Sequence, residues 1–188
     1  MIRYPDPPLR DGGIALRPLE GRDSAELVEL HRGEHWHGLD DPRWTGTAED
    51  ISIAEQRRLV DDAILMAIVD VDTESFRGAV VLRLVSGGLV GEIGIGITDR
   101  GTAQDFAAAA TELVITWAFQ ALSLWKIQAR VRPESQASID FFQRLGFERE
   151  SSPPAYRVIG TAGANPFIYS VRGDRWSQAD RGVDGQER

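Results

Sequence analysis

A chain of 188 residues with 42% hydrophobic and 27% charged residues suits one globular domain with a core large enough to need no covalent staples. It has no cysteine, which excludes disulfide frameworks, thiolate metal sites and cysteine nucleophiles. The net charge is −8 and the basic residues, all arginine except Lys126, are scattered; no apolar run reaches the ~18–20 residues of a membrane span, so neither nucleic acid nor membrane is the expected partner.

The first residues, MIRYPDPPLRDGG, carry prolines and an aspartate where a secretory leader would be apolar, so a cytoplasmic protein is expected. Ile14–Arg17 alternates and stops at Pro18, which predicts a short strand. Asp23-Ser-Ala-Glu26 has the offset of a capping box and opens a helix ending near Gly33; Thr47-Ala-Glu-Asp50 repeats the signal for a second helix. Strands follow over 63–69 and 79–85, then a turn at Ser86-Gly-Gly88 and a strand over 89–98. An alanine-rich helix is predicted over 103–121, a buried strand over 125–131, and a helix over 135–145 closed by Gly146. Two last strands are expected over 156–159 and 167–172. The division is an N-terminal extension over 1–12, one domain over 13–177, and a polar tail over 178–188 in which no structure is expected.

The order β-α-α-β-β-β-α-β-α-β-β places a helix crossover between antiparallel hairpins, and two segments carry a more specific signal. Glu92-Ile-Gly-Ile-Gly-Ile-Thr-Asp99 resembles a Glu-Ile-Gly-Tyr-Trp-Leu-type strand. Residues 129–147, ARVRPESQASIDFFQRLGF, resemble a strand, a Pro-Glu-Asn-x-x-Ser turn, a helix and a Leu-Gly-Phe closure; Phe167-Ile-Tyr-Ser170 with Trp176 resembles the closing strand of the same pattern. Together they resemble the GNAT superfamily of acyl-CoA N-acyltransferases, nearest to the branch that acetylates N-terminal amines of ribosomal proteins. The resemblance implies an α/β (α+β) GNAT fold, a mixed and mostly antiparallel sheet of about seven strands flanked by about four helices. It implies acetyl-CoA as co-substrate, no metal, and a primary amine as acceptor, on a small molecule or a protein N-terminus. Attack would be direct, within a ternary complex, in a monomer or homodimer.

The resemblance also assigns residues. The strand edge at Ile95, Ile97 and Thr98 would pair with the pantetheine amides and supply backbone N–H groups to the developing oxyanion. The loop Arg100-Gly101-Thr102-Ala103-Gln104-Asp105, with Phe106, would meet the pyrophosphate at a helix N-terminus. Ala103 and Asp105 stand where the family's loop has glycines, and Asp105 would set a carboxylate against the phosphates while being itself a good helix N-cap. Ser135 and Phe142 belong to the cofactor side; Phe142 stands where many relatives have a proton-donating tyrosine. The acid is then Ser138, the match to the serine of the ribosomal-protein branch, and the base is Glu92, acting directly or through water. Ser138 could equally satisfy a backbone group of its own helix, and Glu92 could be an ordinary solvent-facing strand residue. Glu150 and Tyr156 lie near further expected site groups.

All three histidines fall in His31-Arg-Gly-Glu-His-Trp-His37. His31-x-x-Glu34-His35 spells an inverted zinc-hydrolase motif, but that motif needs a continuous helix and Gly33 interrupts it, so no metal is expected. Glu34, Trp36, Asp40, Asp41 and Trp44 instead suggest an aromatic, acidic lip for a cationic amine. Two other readings stay open: a GNAT-fold binding or regulatory module with weak or lost acetyl-CoA binding, and a different chemistry on the same scaffold.

Overall fold

The computed structural model describes residues 4–32, 36–37, 63–98, 103–150 and 166–180. Its strands are β1 (Leu9–Asp11), β2 (Ile14–Pro18), β3 (Trp36–His37), β4 (Ala63–Asp70), β5 (Phe76–Val85), β6 (Val90–Ile97), β7 (Lys126–Val131), β8 (Glu148–Arg149) and β9 (Phe167–Arg172). The α-helices are α1 (Ser24–Arg32), α2 (Ala103–Ala121), α3 (Gln136–Arg144) and α4 (Gly173–Asp180). The sheet runs β1-β2-β4-β5-β6-β7-β9-β8, with β3 added to β6 off that path. Every pairing is antiparallel except β6 with β7, which follow one another through the α2 crossover.

Alternation along the strands sets the two faces. Ile64, Met66 and Ile68 of β4, Val80 and Leu82 of β5, and Ile93, Ile95 and Ile97 of β6 form one cluster with Ala107, Ala110, Val114, Ile115 and Ala118 of α2. The same cluster continues through Ile127, Ala129 and Val131 to Phe141 and Phe142 of α3. On the opposite face Ala79 meets Leu27 and Leu30 of α1. The α2 alanines allow the long helix to lie close on a sheet face filled by isoleucine.

Two glycines hold the centre of the sheet together. A Cβ at Gly78 would run into the carbonyl oxygen of Gly96 on the next strand, where the β4–β5 register shifts at Ile68/Val69. A Cβ at Gly91 would come within 2.9 Å of Leu124 Cδ1 and 3.0 Å of Leu82 Cδ1. Gly146 closes α3 at φ 79°, the left-handed C-cap conformation its sequence position predicts.

Several elements differ from expectation. Leu9–Asp11, expected in the N-terminal extension, pairs with Ile14–Leu16 as β1. A helix not expected from sequence, α4, follows β9 and runs three residues into the polar tail, while Trp176, expected to dock, donates its Nε1 to Thr116 Oγ1 at 3.0 Å. The box at α1 is shifted: Asp23 Oδ2 accepts from the Glu20 N–H at 2.8 Å and from Arg17 at 2.7 Å, because a buried carboxylate needs a cation more than a helix needs that cap. Strands β3 and β8, two residues each, are too short to announce themselves by periodicity. The helix expected from Thr47 and the strand expected over 156–159 lie outside the described residues.

Candidate active site

β6 pairs with β7 only over Val90–Glu92 against Lys126–Gln128. Beyond that point β7 continues on β9 while β6 runs on to Ile97, so the two strands part and leave a notch. α2 begins at Ala103, six residues past the end of β6, and its first turn presents backbone N–H groups without partners inside the helix. A sheet edge that parts from its neighbour, followed by a helix N-terminus, would suit an extended amide-bearing chain ending in phosphates.

Part of that edge is taken. β3 lies antiparallel on β6, Trp36 opposite Gly96 and His37 opposite Ile95. From there His37 reaches across the notch, and its Nδ1 lies 2.7 Å from Ser138 Oγ in the first turn of α3. Ser138 is buried, and its Oγ is also 2.9 Å from Ser135 Oγ. Ser135, a good N-cap by sequence, makes no side-chain capping bond; its hydroxyl is engaged by Ser138 instead. Ser138 thus turns toward a side chain of another element rather than back into its own helix. The His37 ring stacks on Phe141, centroids 5.0 Å apart and planes 17° apart.

Glu92 is not the solvent-facing strand residue that alternation alone allows: it is 2% exposed. The register sets Arg83 and Gln128 beside it on the same face. Gln128 Nε2 donates to Glu92 Oε2 at 3.2 Å, Arg130 Nε lies 3.0 Å from the same oxygen, and Arg83 Nη1 lies 4.0 Å from Oε1. An enclosed carboxylate needs such cations, since an unpaired one would carry a large desolvation cost. A second polar group lies farther along the sheet, where Glu150 Oε1 accepts from Lys126 Nζ at 2.7 Å and from Ser170 Oγ at 2.6 Å. Burial alone would raise the Glu150 carboxyl, but the Lys126 ammonium and the Ser170 hydroxyl outweigh it and hold it below the usual carboxylate range.

The other expected cofactor residues divide three ways. Ile95 and Ile97 turn their side chains into the core and keep only backbone groups for the edge. Phe106 is partly buried against the core. Thr98 has both its N–H (2.9 Å) and its hydroxyl (3.1 Å) on the Arg77 carbonyl, so its donors are spent inside the sheet. Phe142 corrects the sequence reading more sharply: it is wholly enclosed, edge-on to Phe141 and tilted on Phe147, and offers no surface to a ligand. Asp105 is the third residue of α2, inside its first turn.

Arg100, Gly101, Thr102, Glu34, Asp40, Asp41, Trp44 and Tyr156 lie outside the described residues, as do the side chains of Trp36, Ala103, Gln104 and Asp105. Among the described residues no group of three or more histidine, aspartate or glutamate side chains is arranged to hold a metal ion. The residue that sequence reasoning missed is His37. It stood in a histidine cluster whose visible motif was a metal one, and neighbours that place it, residues 95, 138 and 141, are far away in sequence.

A family model for the acetyltransferase (GNAT) domain matches residues 14–148. No curated protein sequence matches the chain. Solved structures share its fold at low identity. RimJ of Mycobacterium smegmatis, in complex with CoA-disulfide, superposes with a TM-score of 0.69 at 20% identity, covering 94% of this chain and 93% of that one. A ribosomal-protein alanine acetyltransferase from Vibrio fischeri has a TM-score of 0.66 at 19% identity, covering 91% and 99%. A variant of the spermidine N-acetyltransferase SpeG from Vibrio cholerae has a TM-score of 0.73 at 16% identity, covering 89% and 98%.

Proposed function

The chain belongs to the acetyltransferase (GNAT) domain family, and on that premise we propose that it moves an acetyl group from acetyl-CoA to a primary amine, on a small molecule or a protein N-terminus. The observation that carries this reading is the notch between β6 and β7, with a buried serine hydroxyl on its α3 side. The named acceptors of the similar structures, ribosomal protein and spermidine, are both amine-bearing, which supports the acceptor class.

The β6 edge from Ile93 to Ile97 and the first turn of α2, with the preceding loop from Arg100, would hold acetyl-CoA, which supplies an activated thioester carbonyl when bound. Backbone N–H groups near Ile95–Ile97 would face the carbonyl oxygen. Ser138 gives a proton to the departing sulfur, a group that asks little of its acid. Glu92 takes the proton from the acceptor ammonium through water, because its carboxylate is enclosed by its own chain's donors. The sequence around Glu34, Trp36, Asp40, Asp41 and Trp44 would supply an acidic, aromatic lip for a cationic acceptor. Acetyl-CoA held along Ile95 and Gly96 would displace β3 from that edge. Asp105 suits the positive end of α2 and opposes a phosphate there, so modest affinity is expected.

Thermal melts with and without acetyl-CoA test the reading, paired with an acetylation assay on polyamines and on peptides with free N-termini. Acetyl-CoA at 100 times its Kd should add about 2.7 kcal/mol, a rise of roughly 5–10 °C for a domain of this size. No shift at millimolar acetyl-CoA would favour a GNAT-fold binding module over an enzyme.

A further inference from the structure

We propose that Ser135 is a positioning residue for Ser138, holding its hydroxyl toward the leaving sulfur and returning the proton that it gives up; this rests on the acetyl-transfer reading above. Ser138 Oγ lies 2.7 Å from His37 Nδ1 and 2.9 Å from Ser135 Oγ, and the two partners differ in kind. His37 arrives on β3, the strand that acetyl-CoA held along Ile95 and Gly96 would displace. Ser135 belongs to the start of α3 itself and stays when β3 leaves.

The backbone fixes Ser135 on both sides. Its N–H donates to the Arg132 carbonyl at 3.0 Å, and its carbonyl accepts from the Ile139 N–H at 3.1 Å. A serine at an N-cap ordinarily turns its hydroxyl onto a backbone N–H two or three residues on. Here the hydroxyl makes no capping bond and meets the side chain of the third helical residue instead. Burial separates the two hydroxyls: Ser138 is 3% exposed, whereas Ser135 is only half-buried. An alkoxide left on Ser138 would be enclosed and costly, so its proton must be replaced as it leaves. With the Ser135 hydrogen directed at Ser138 Oγ, the hydrogen of Ser138 is left for the sulfur. As the C–S bond breaks, Ser138 gives its proton to the sulfur, Ser135 gives its own to Ser138 Oγ, and Ser135 Oγ takes one from water. The proton that the acceptor ammonium loses balances the one that solvent supplies.

The test is single-turnover acetyl transfer on the full chain for Ser135→Ala, Ser135→Thr, Ser138→Ala and the double alanine variant. Melting temperatures confirm folding, and calorimetry gives the acetyl-CoA Kd. Ser138→Ala should slow transfer by roughly 10- to 100-fold and Ser135→Ala by about 10-fold, with Kd within about twofold. Ser135→Thr keeps the hydroxyl and should stay within about threefold of the parent. The double variant should be no slower than Ser138→Ala, because Ser135 acts only through that residue. In mixtures of light and heavy water the parent rate should curve, with two protons in flight, and the Ser135→Ala rate should fall on a line. A crystal structure of the CoA complex should show β3 off the edge and the two Oγ atoms still about 3 Å apart. Multiplying losses, a linear parent profile, hydroxyls out of bonding reach in that complex, or a threonine as slow as alanine would overturn the assignment. So would a Ser135→Ala loss confined to acetyl-CoA affinity, which would make Ser135 a cofactor contact alone. A parent chain that acetylates no amine would end both readings, whereas a slow Ser138→Ala beside an unimpaired Ser135→Ala would end this one alone.

Discussion

Arg130 Nε lies 3.0 Å from Oε2 of Glu92, and this pair ties β7 to β6 at the point where the two strands part. Arg130 is two residues beyond the paired stretch 126–128, and Glu92 is the last paired residue on β6. The carboxylate therefore has two possible duties, holding the mouth of the notch and taking a proton from the acceptor.

Glu92→Gln separates those duties when compared with Arg130→Met. Both remove the ion pair, and each should cost about 1–3 kcal/mol, below the value for a fully buried pair because Arg130 is about one-third exposed. Only Glu92→Gln should lower kcat by roughly 10²–10⁴-fold, the usual contribution of a positioned base. Denaturant titrations and steady-state rates on both variants check this. Equal kcat in the two would leave Glu92 a structural residue.

Asp23→Ala should destabilise the fold by about 3 kcal/mol, the scale expected when one member of a buried ion pair is removed. Arg17 Nη1 and Nη2 donate to the two Asp23 oxygens at 2.7 and 2.8 Å, and the Glu20 N–H donates to Oδ2 at 2.8 Å. Losing the carboxylate leaves that guanidinium with the Pro18 carbonyl at 3.0 Å and Glu20 Oε1 at 3.7 Å. Urea unfolding at neutral pH measures the difference, and a loss under 1 kcal/mol would show that Glu20 swings in to compensate.

Asp70 predicts an acid limb to stability. Its carboxyl is held down to about 2 from the ordinary 3.8, first by the backbone N–H of Thr73, then by the Arg77 guanidinium and the Thr73 hydroxyl. A carboxyl with a depressed folded-state pKa stabilises the fold above its unfolded value and ceases to do so as pH falls through its folded value. The contribution should be intact above about pH 4–5 and gone near pH 2. Asp70→Asn should therefore melt below the parent at pH 7 and alongside it at pH 2; a gap that persists at pH 2 would place the effect outside this titration.

What sequence alone determined is whatever repeats locally. Two-residue alternation in the strands, the apolar face of α2, and Gly146 after α3 are written within a few residues of where they act, so the order of the long elements from β4 to α3 and the family resemblance were readable from 188 letters. Ser138 and Glu92 could be named because they sit inside motifs, but their surroundings could not. The partners of Glu92 lie on β5 and β7, and its burial depends on the register that sets Arg83 and Gln128 beside it. Thr98 reads as a free donor until the Arg77 carbonyl is brought beneath it, and Phe142 as a site residue until Phe141 and Phe147 close around it. His37 shows the limit most plainly. A two-residue strand has no period to detect, and the contact between the His37 ring and Ser138 spans 101 positions of chain. Only the parting of β6 from β7, a property of the whole sheet, creates the edge on which that residue comes to rest.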